Sequence, residues 1–355
     1  MPAEITHNLV VGEGDAGQRV DRYLAAQLPE LSRTRIQELI EAGLVLVGGT
    51  ATKGAHKLKA GEEIRVEAQA RPPMRAEAEA IPLEILYEDE DVVAVNKPAG
   101  MTVHAGAGTW RGTLVNALLG RGQTLSTGGD ALRPGIVHRL DKETSGAILV
   151  AKNDFAHAKL AEAFQRREVK KTYIALVEGA LKEKQGRIEL PVGRDLKRRT
   201  RMAVRTRKEG GALRGAREAR TDWRTLAQVD GTTLVEVQLH TGRTHQIRVH
   251  FSALKHPVVG DTLYGAAAQL RIPGEGARGA EKGLGLGRGR AEKTMPRLER
   301  NFLHAAKLEF AQPRTGAWIT VRAPIPPELR NFLQELASQS GEDWRRIDAA
   351  LAAFL

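Results

Sequence analysis

One stretch constrains this chain more than any other: GIVHRLDKETSGAILVAK, residues 135–152. Two apolar runs, each of strand-forming composition, flank five ionisable residues packed into the six positions His138 to Glu143. The alternation reads as two strands joined by a tight charged loop. Such a loop is either a solvated turn or a place where one carboxylate does chemistry. In either case the chain must build a sheet around it.

The surrounding sequence supplies that sheet and more. DVVAVNKPAG (91–100) reads as a strand running into a Pro-Gly turn, and TLVNALLG (113–120) as a short helix. DFAHAKLAEAFQRRE (154–168) has the spacing of an amphipathic helix with Asp154 as its cap. KTYIALVEG and TTLVEVQLH read as further strands, and RTHQIRVHFSAL as a helix stopped before Pro257. Strands and helices do not alternate regularly, so the expected class is α+β with a mixed, mainly antiparallel sheet.

Residues 18–70 read as a separate small unit with two helices and short strands around glycine turns. Val20, Leu24 and Leu28 share one helical face; Ser32 and Gly43 mark the ends of the second helix, whose start carries Arg33 and Arg35. The 355 residues then divide into an arm (1–17), this unit, a proline-rich linker (71–82), a large unit (83–330) and a helical extension (331–355). A Gly/Arg-rich stretch, 267–295, reads as an insertion that either touches RNA or only links its neighbours.

Composition narrows the chemistry. Lysine and arginine outnumber aspartate and glutamate 54 to 43, a net charge of +11, which suits a polyanionic partner. There is no cysteine, which excludes disulfides, thiolate nucleophiles and zinc-thiolate sites. No secretory signal and no membrane-spanning apolar run is visible, and the expectation is a soluble cytoplasmic monomer. Two GxGxxG matches, at 12–17 and 274–279, lack the strand context of a dinucleotide site. His245, His250, His256 and Asp261 have poor metal-ligand spacing, with Arg243 and Arg248 interleaved. No metal and no cofactor are expected, although a metal-dependent nuclease stays as a minor alternative.

Three other blocks echo the charged loop. NKPAGMTVH (96–104), HRLDKETSG (138–146), KKTYIALVEG (170–179) and GRTHQIRVH…HPVVGDTLYG (242–250, 256–265) come in that order. Together they resemble the RluA/RluD-type pseudouridine synthases of large-subunit ribosomal RNA, and most resemble the RluD branch. The resemblance covers roughly residues 18–330. It implies that the first unit is a small αL-type RNA-binding domain like that of ribosomal protein S-four, and that the large unit is catalytic. Ala105 stands where the family usually has proline, and the 267–295 insertion is longer than the family pattern.

The resemblance implies that specific uridines of 23S ribosomal RNA, free or in an assembling subunit, are isomerised to pseudouridine. The base is cut from C1′ at N1 and rejoined through C5, so one carboxylate suffices, as nucleophile or as base. The resemblance gives that role to Asp141, with Arg248 as the cation that keeps it ionised in a dry pocket. It places Tyr173 against the flipped base and Arg139 in the gap left behind. Arg243, His245, Arg33, Arg35 and the strip RDLKRRTRMAVRTRK (194–208), with Lys197, Arg198 and Arg199, are the candidate RNA contacts. A solvated charged face accounts for that strip equally well. A non-catalytic RNA-binding assembly factor is the rival from another class.

Overall fold

Period-two alternation and glycine turns organise the first part of the chain. A computed structural model describes residues 4–28, 31, 33–69, 76–106, 109–127, 132–198, 201–205, 215–229, 231–273, 292–294 and 298–354. The chain divides into two compact units, Met1–Met74 and Arg75–Leu355.

In the first unit, four antiparallel strands run in the order Glu4–Val10, Glu63–Gln69, Val45–Val47, Thr50–Ala51. The segment read as an arm is therefore an edge strand, paired along its length from Glu4↔Gln69 to Val10↔Glu63. Helices Val20–Gln27 and Arg33–Glu41 complete the unit. Val20, Leu24 and Leu28 are buried on one core with Ile36, Leu39 and Ile64, as the helical spacing requires. The side chains of Arg33 and Arg35, and Ser32 itself, lie outside the described residues. The GEGDAG match (12–17) forms only a short 3-10 turn, Glu13–Asp15.

The second unit is built on a nine-stranded sheet. Its main path runs Glu84–Glu88, Val92–Lys97, Ser145–Ala151, Leu303–Ala311, Lys170–Glu178, Thr232–Leu239, Thr221–Val229, Gln185–Ile188, and Trp318–Arg322 pairs with Leu303–Ala311. One junction is parallel, His304↔Ser145 and Ala305↔Gly146; all the others are antiparallel. The strand Ser145–Ala151 is buried at every position, as a strand covered on both faces must be.

Three sequence expectations change here. Residues 135–140 form no strand, only an isolated bridge, Ile136↔Val150. The reason lies in His138: its Nε2 accepts the Leu149 N–H at 2.8 Å, so a side chain stands where a ladder carbonyl would be. The 154–165 helix is capped by Asn153, whose side chain accepts from the Ala156 N–H. Asp154 instead receives the Ser126 hydroxyl at 2.6 Å. Lastly, helices Pro327–Ser340 and Trp344–Leu351 are no appendage, because Leu329, Leu333, Leu336, Ile347 and Leu351 are buried in the same core as the sheet.

The cationic strip after Val192 makes a small antiparallel sheet of Val192–Arg194, Met202–Val204 and Ala216–Arg217. Within 267–295, Arg271–Pro273 pairs with Glu292–Thr294; residues 274–291, including the second GxGxxG match, lie outside the described residues. Among the described residues no helix is long and apolar enough to cross a membrane.

Candidate active site

The loop His138–Thr144 opens into a cavity of about 330 Å³ at the end of the central sheet. Backbone and cation contacts hold the loop from beneath. The Thr144 N–H closes a turn on the Asp141 carbonyl at 3.1 Å. Lys97, fully buried, gives its ammonium to the carbonyls of Pro98 (2.7 Å), Met101 (2.9 Å) and Lys142 (3.1 Å). Burial lowers its pKa to about 7, with Glu143 and Asp141 acting against that. Arg300 donates to the Glu143 carbonyl (3.2 Å), to Ser145 Oγ (3.1 Å) and to Glu328 (2.8 Å). Lys97 and Arg300 thus fix consecutive carbonyls, of Lys142 and Glu143, in the loop that carries Asp141.

Gly146 ends this loop with φ +113°, and a Cβ there would lie 2.2 Å from the Ala305 carbonyl oxygen. Only glycine fits so close a crossing at this φ. Ser145 beside it binds His304 Nδ1 at 2.9 Å, while His304 Nε2 lies 3.0 Å from the Ala323 carbonyl. The charged loop is therefore clamped to the Leu303–Ala311 strand from both the backbone and the side chains.

Helix Gln246–Ala253 brings the opposing charge. Arg248 Nη1 lies 3.3 Å from Asp141 Oδ2. Its other edge forks onto Asp261, Nε to Oδ2 at 2.6 Å and Nη2 to Oδ1 at 2.9 Å. Such a bidentate pair fixes the plane of the guanidinium. Burial alone would lower the Arg248 pKa; the bonds and charges of Asp261, then Asp141, raise it above its ordinary value. The guanidinium also sits 4.9 Å from the Tyr264 ring centroid.

His245 precedes the helix in a left-handed conformation, φ +56°. Its Nδ1 is 2.7 Å from the Tyr264 hydroxyl, which also receives the Met202 N–H at 2.9 Å. A neutral ring whose Nδ1 accepts that hydroxyl proton carries its own proton on Nε2, which lies 3.9 Å from Asp141 Oδ1. Burial, partly opposed by Asp141, holds the His245 pKa below its usual range.

Tyr173 lines the same cavity from the Lys170–Glu178 strand. Burial, aided by the charge of Asp141, raises its hydroxyl well above the usual phenol range. Arg139 and Arg243 border the cavity, Arg139 exposed and Arg243 half-buried. Arg243 Nε donates to the Glu218 carbonyl at 3.0 Å. Burial, then Arg217 and Arg167, lowers its pKa.

Six of the sequence candidates, Asp141, Arg139, Tyr173, Arg248, Arg243 and His245, therefore meet at one cavity. Lys197 and Arg198 do not: their side chains are exposed and do not line it, and their N–H groups bond Asp195. Arg199 lies outside the described residues. The metal alternative finds its residues engaged elsewhere. Asp261 holds Arg248, His250 contacts Thr221 Oγ1 and the Leu190 carbonyl, and His256 contacts the Glu178 carbonyl. Among the described residues no three His, Asp or Glu side chains group as a metal site would require.

Sequence reasoning missed Asp261 as the anchor of Arg248, Tyr264 as the partner of His245, and Lys171 on the cavity wall. The signal for Lys171 was present. It stands two residues before Tyr173, and period-two geometry puts both on one face.

A catalytic-domain sheet with one carboxylate, one fixed guanidinium and one tyrosine at a cavity defines a class, and comparison with known proteins gives its name. Residues 91–253 match the RNA pseudouridylate synthase family, and residues 18–64 match the S4 domain. A Nitrosomonas europaea protein named ribosomal large subunit pseudouridine synthase D is 41% identical, over 94% of this chain and 88% of that one. An uncharacterized RNA pseudouridine synthase of Synechocystis is 40% identical, over 91% of this chain and 90% of that protein. The structure of human RNA pseudouridylate synthase domain containing 1 superposes with a TM-score of 0.51 at 26% identity, covering 74% of this chain and 97% of that one. The chain belongs to the RNA pseudouridine synthase family, with an S4 domain before the synthase domain.

Proposed function

We propose that this protein converts uridine to pseudouridine in large-subunit ribosomal RNA, with Asp141 as the reacting carboxylate. The observation that carries this reading is the meeting of Asp141, Arg248 and Tyr173 at one cavity. A cavity of about 330 Å³ takes a single base and its sugar, not a duplex, so the target nucleotide leaves its stack to enter. Asp141 then attacks C1′ or removes a proton from C2′. Arg248, held in plane by Asp261, keeps a positive charge beside it throughout. Tyr173 supports the extruded base, and its raised pKa keeps the hydroxyl protonated at neutral pH.

RNA recognition, in this reading, comes from the S4 domain together with Arg139, Arg243 and His245 at the cavity and Lys197 and Arg198 on the basic strip. Large-subunit RNA as the substrate is the naming shared by relatives at about two-fifths identity over nearly the whole chain. The reading extends to a cytoplasmic monomer, which size-exclusion chromatography and cell fractionation check.

The test is Asp141→Asn, assayed by tritium release from ribosomal RNA labelled at uridine C5. Isomerisation falls by at least about three orders of magnitude while RNA binding persists. A wild-type protein that forms no pseudouridine in any ribosomal RNA would instead make this chain a binding-only assembly factor.

A further inference from the structure

Four cations border the cavity; Arg139 is exposed, and two of the other three are answered by the protein. Arg248 has Asp261 and Asp141, and Arg243 has the Glu218 carbonyl. Lys171 has neither a carboxylate nor a hydrogen-bond acceptor among the described residues. Its Nζ stands 5.6 Å from the Phe164 ring centroid, and that ring stacks on His138 at 4.6 Å. The wall beside it is therefore aromatic. Near it the chain has glycine: a Cβ on Gly242 would come only within 3.9 Å of Nζ.

A half-buried ammonium without a counter-charge costs stability unless something else repays it. Burial lowers the Lys171 pKa to about 8, so the group is still mainly charged at neutral pH. Thr144, on the same lining, keeps its Oγ1 buried with no hydrogen-bond partner among the described residues. Both residues share the cavity lining with Asp141 and Tyr173.

The reaction supplies the missing anion. When the N1–C1′ bond breaks, its electron pair stays on the base, and the negative charge spreads over N1 and the two carbonyl oxygens. Closure through C5 expels the C5 proton and returns a proton to N1, so atoms and electrons balance without a co-reactant. We propose that Lys171 is a catalytic residue that donates a hydrogen bond to a carbonyl oxygen of the extruded uracil and stabilises the charge it carries after that cleavage. This rests on the function proposed above. A backbone phosphate is the competing anion. Lys171 shares a strand face with Tyr173 within the cavity, whereas exposed Arg139 is better placed for the phosphate backbone.

The experiment is single-turnover tritium release with saturating enzyme on in vitro transcribed large-subunit ribosomal RNA, alongside the dissociation constant for the same RNA. Lys171→Met slows the reaction by about 10²-fold with RNA affinity unchanged, and Lys171→Arg recovers most of the loss. Thermal unfolding of Lys171→Met occurs at or above the wild-type temperature, because an unpaired cation has been removed. Weakened RNA affinity with an unchanged rate would assign Lys171 to a phosphate and overturn the proposal. So would a lowered unfolding temperature with activity loss that tracks it. Full activity of Lys171→Met beside an inactive Asp141→Asn would remove Lys171 alone. Full activity of Asp141→Asn would remove the underlying function.

Discussion

Asp261 shows how one side chain sets the properties of another. It is 3% exposed and touches Arg248, itself 8% exposed, through two hydrogen bonds. Removing its charge leaves the guanidinium with Asp141 as its sole carboxylate, at 3.3 Å through one nitrogen. Asp261→Asn therefore destabilises the protein by about 3 kcal/mol, as expected for a broken buried ion pair. It also slows isomerisation, since Arg248 loses its fixed plane. Urea unfolding beside the tritium assay checks both effects; an Asp261→Asn enzyme of wild-type rate and stability would refute this account of Arg248. Lys97 and Arg300 act by the same logic on the loop backbone, replacing water around the Lys142 and Glu143 carbonyls.

At the scale of elements, the parallel junction between Ser145–Ala151 and Leu303–Ala311 is the decisive contact. It is short, two residue pairs, and it works because Gly146 lets the strands cross with almost no gap. Gly146→Ala places a Cβ against the Ala305 carbonyl and strains a φ of +113°. The expected cost is at least about 2 kcal/mol, with displacement of the Asp141 loop and loss of activity. Differential scanning calorimetry and the isomerisation assay test this; a variant that is neutral in both excludes the tight crossing.

Much at this level was legible in the sequence, for physical reasons. The helix at 154–165 declares itself through local periodicity, and the strand at 170–178 through a continuous strand-forming run buried at six successive positions. The six candidates at the cavity fall in three short blocks, 138–146, 170–179 and 242–250, and the resemblance those blocks carry gave the list before any fold was known. What stayed hidden depends on distance along the chain. Ser145 meets His304 across 159 positions, and Arg300 meets the Glu143 carbonyl across 157. No periodicity encodes such pairings. The strand expected at 135–140 failed because His138 takes over a backbone partner, which apolar composition does not reveal. The strand Glu4–Val10 was passed over because Thr6 and Asn8 alternate with Ile5, His7 and Leu9, so its apolar face is interrupted by a histidine.

For the molecule as a whole, each unit has its own core, and the synthase unit carries a buried acid-labile element. His304 is fully buried between Ser145 and Ala323, and burial lowers its pKa from 6.5 to about 4. Below pH 6.5 the unfolded chain binds a proton that the folded chain refuses. Stability is therefore intact above that value and declines as the pH falls toward 4, by roughly 3 kcal/mol for this one group. His304→Gln, which cannot titrate, shows a flatter dependence of unfolding temperature over that window. Identical slopes for the two proteins would show that His304 is not the responsible group.

The clamp on the charged loop also has a temporal side. The carboxylate-bearing segment leaves the ribosome early, whereas its restraining partner at 303–311 emerges more than a hundred residues later. Until then Ser145 and Gly146 have nothing to lock against. A nascent chain of this protein therefore holds its reactive group unassembled from the making of Asp141 until that late segment docks, and competence arrives abruptly then.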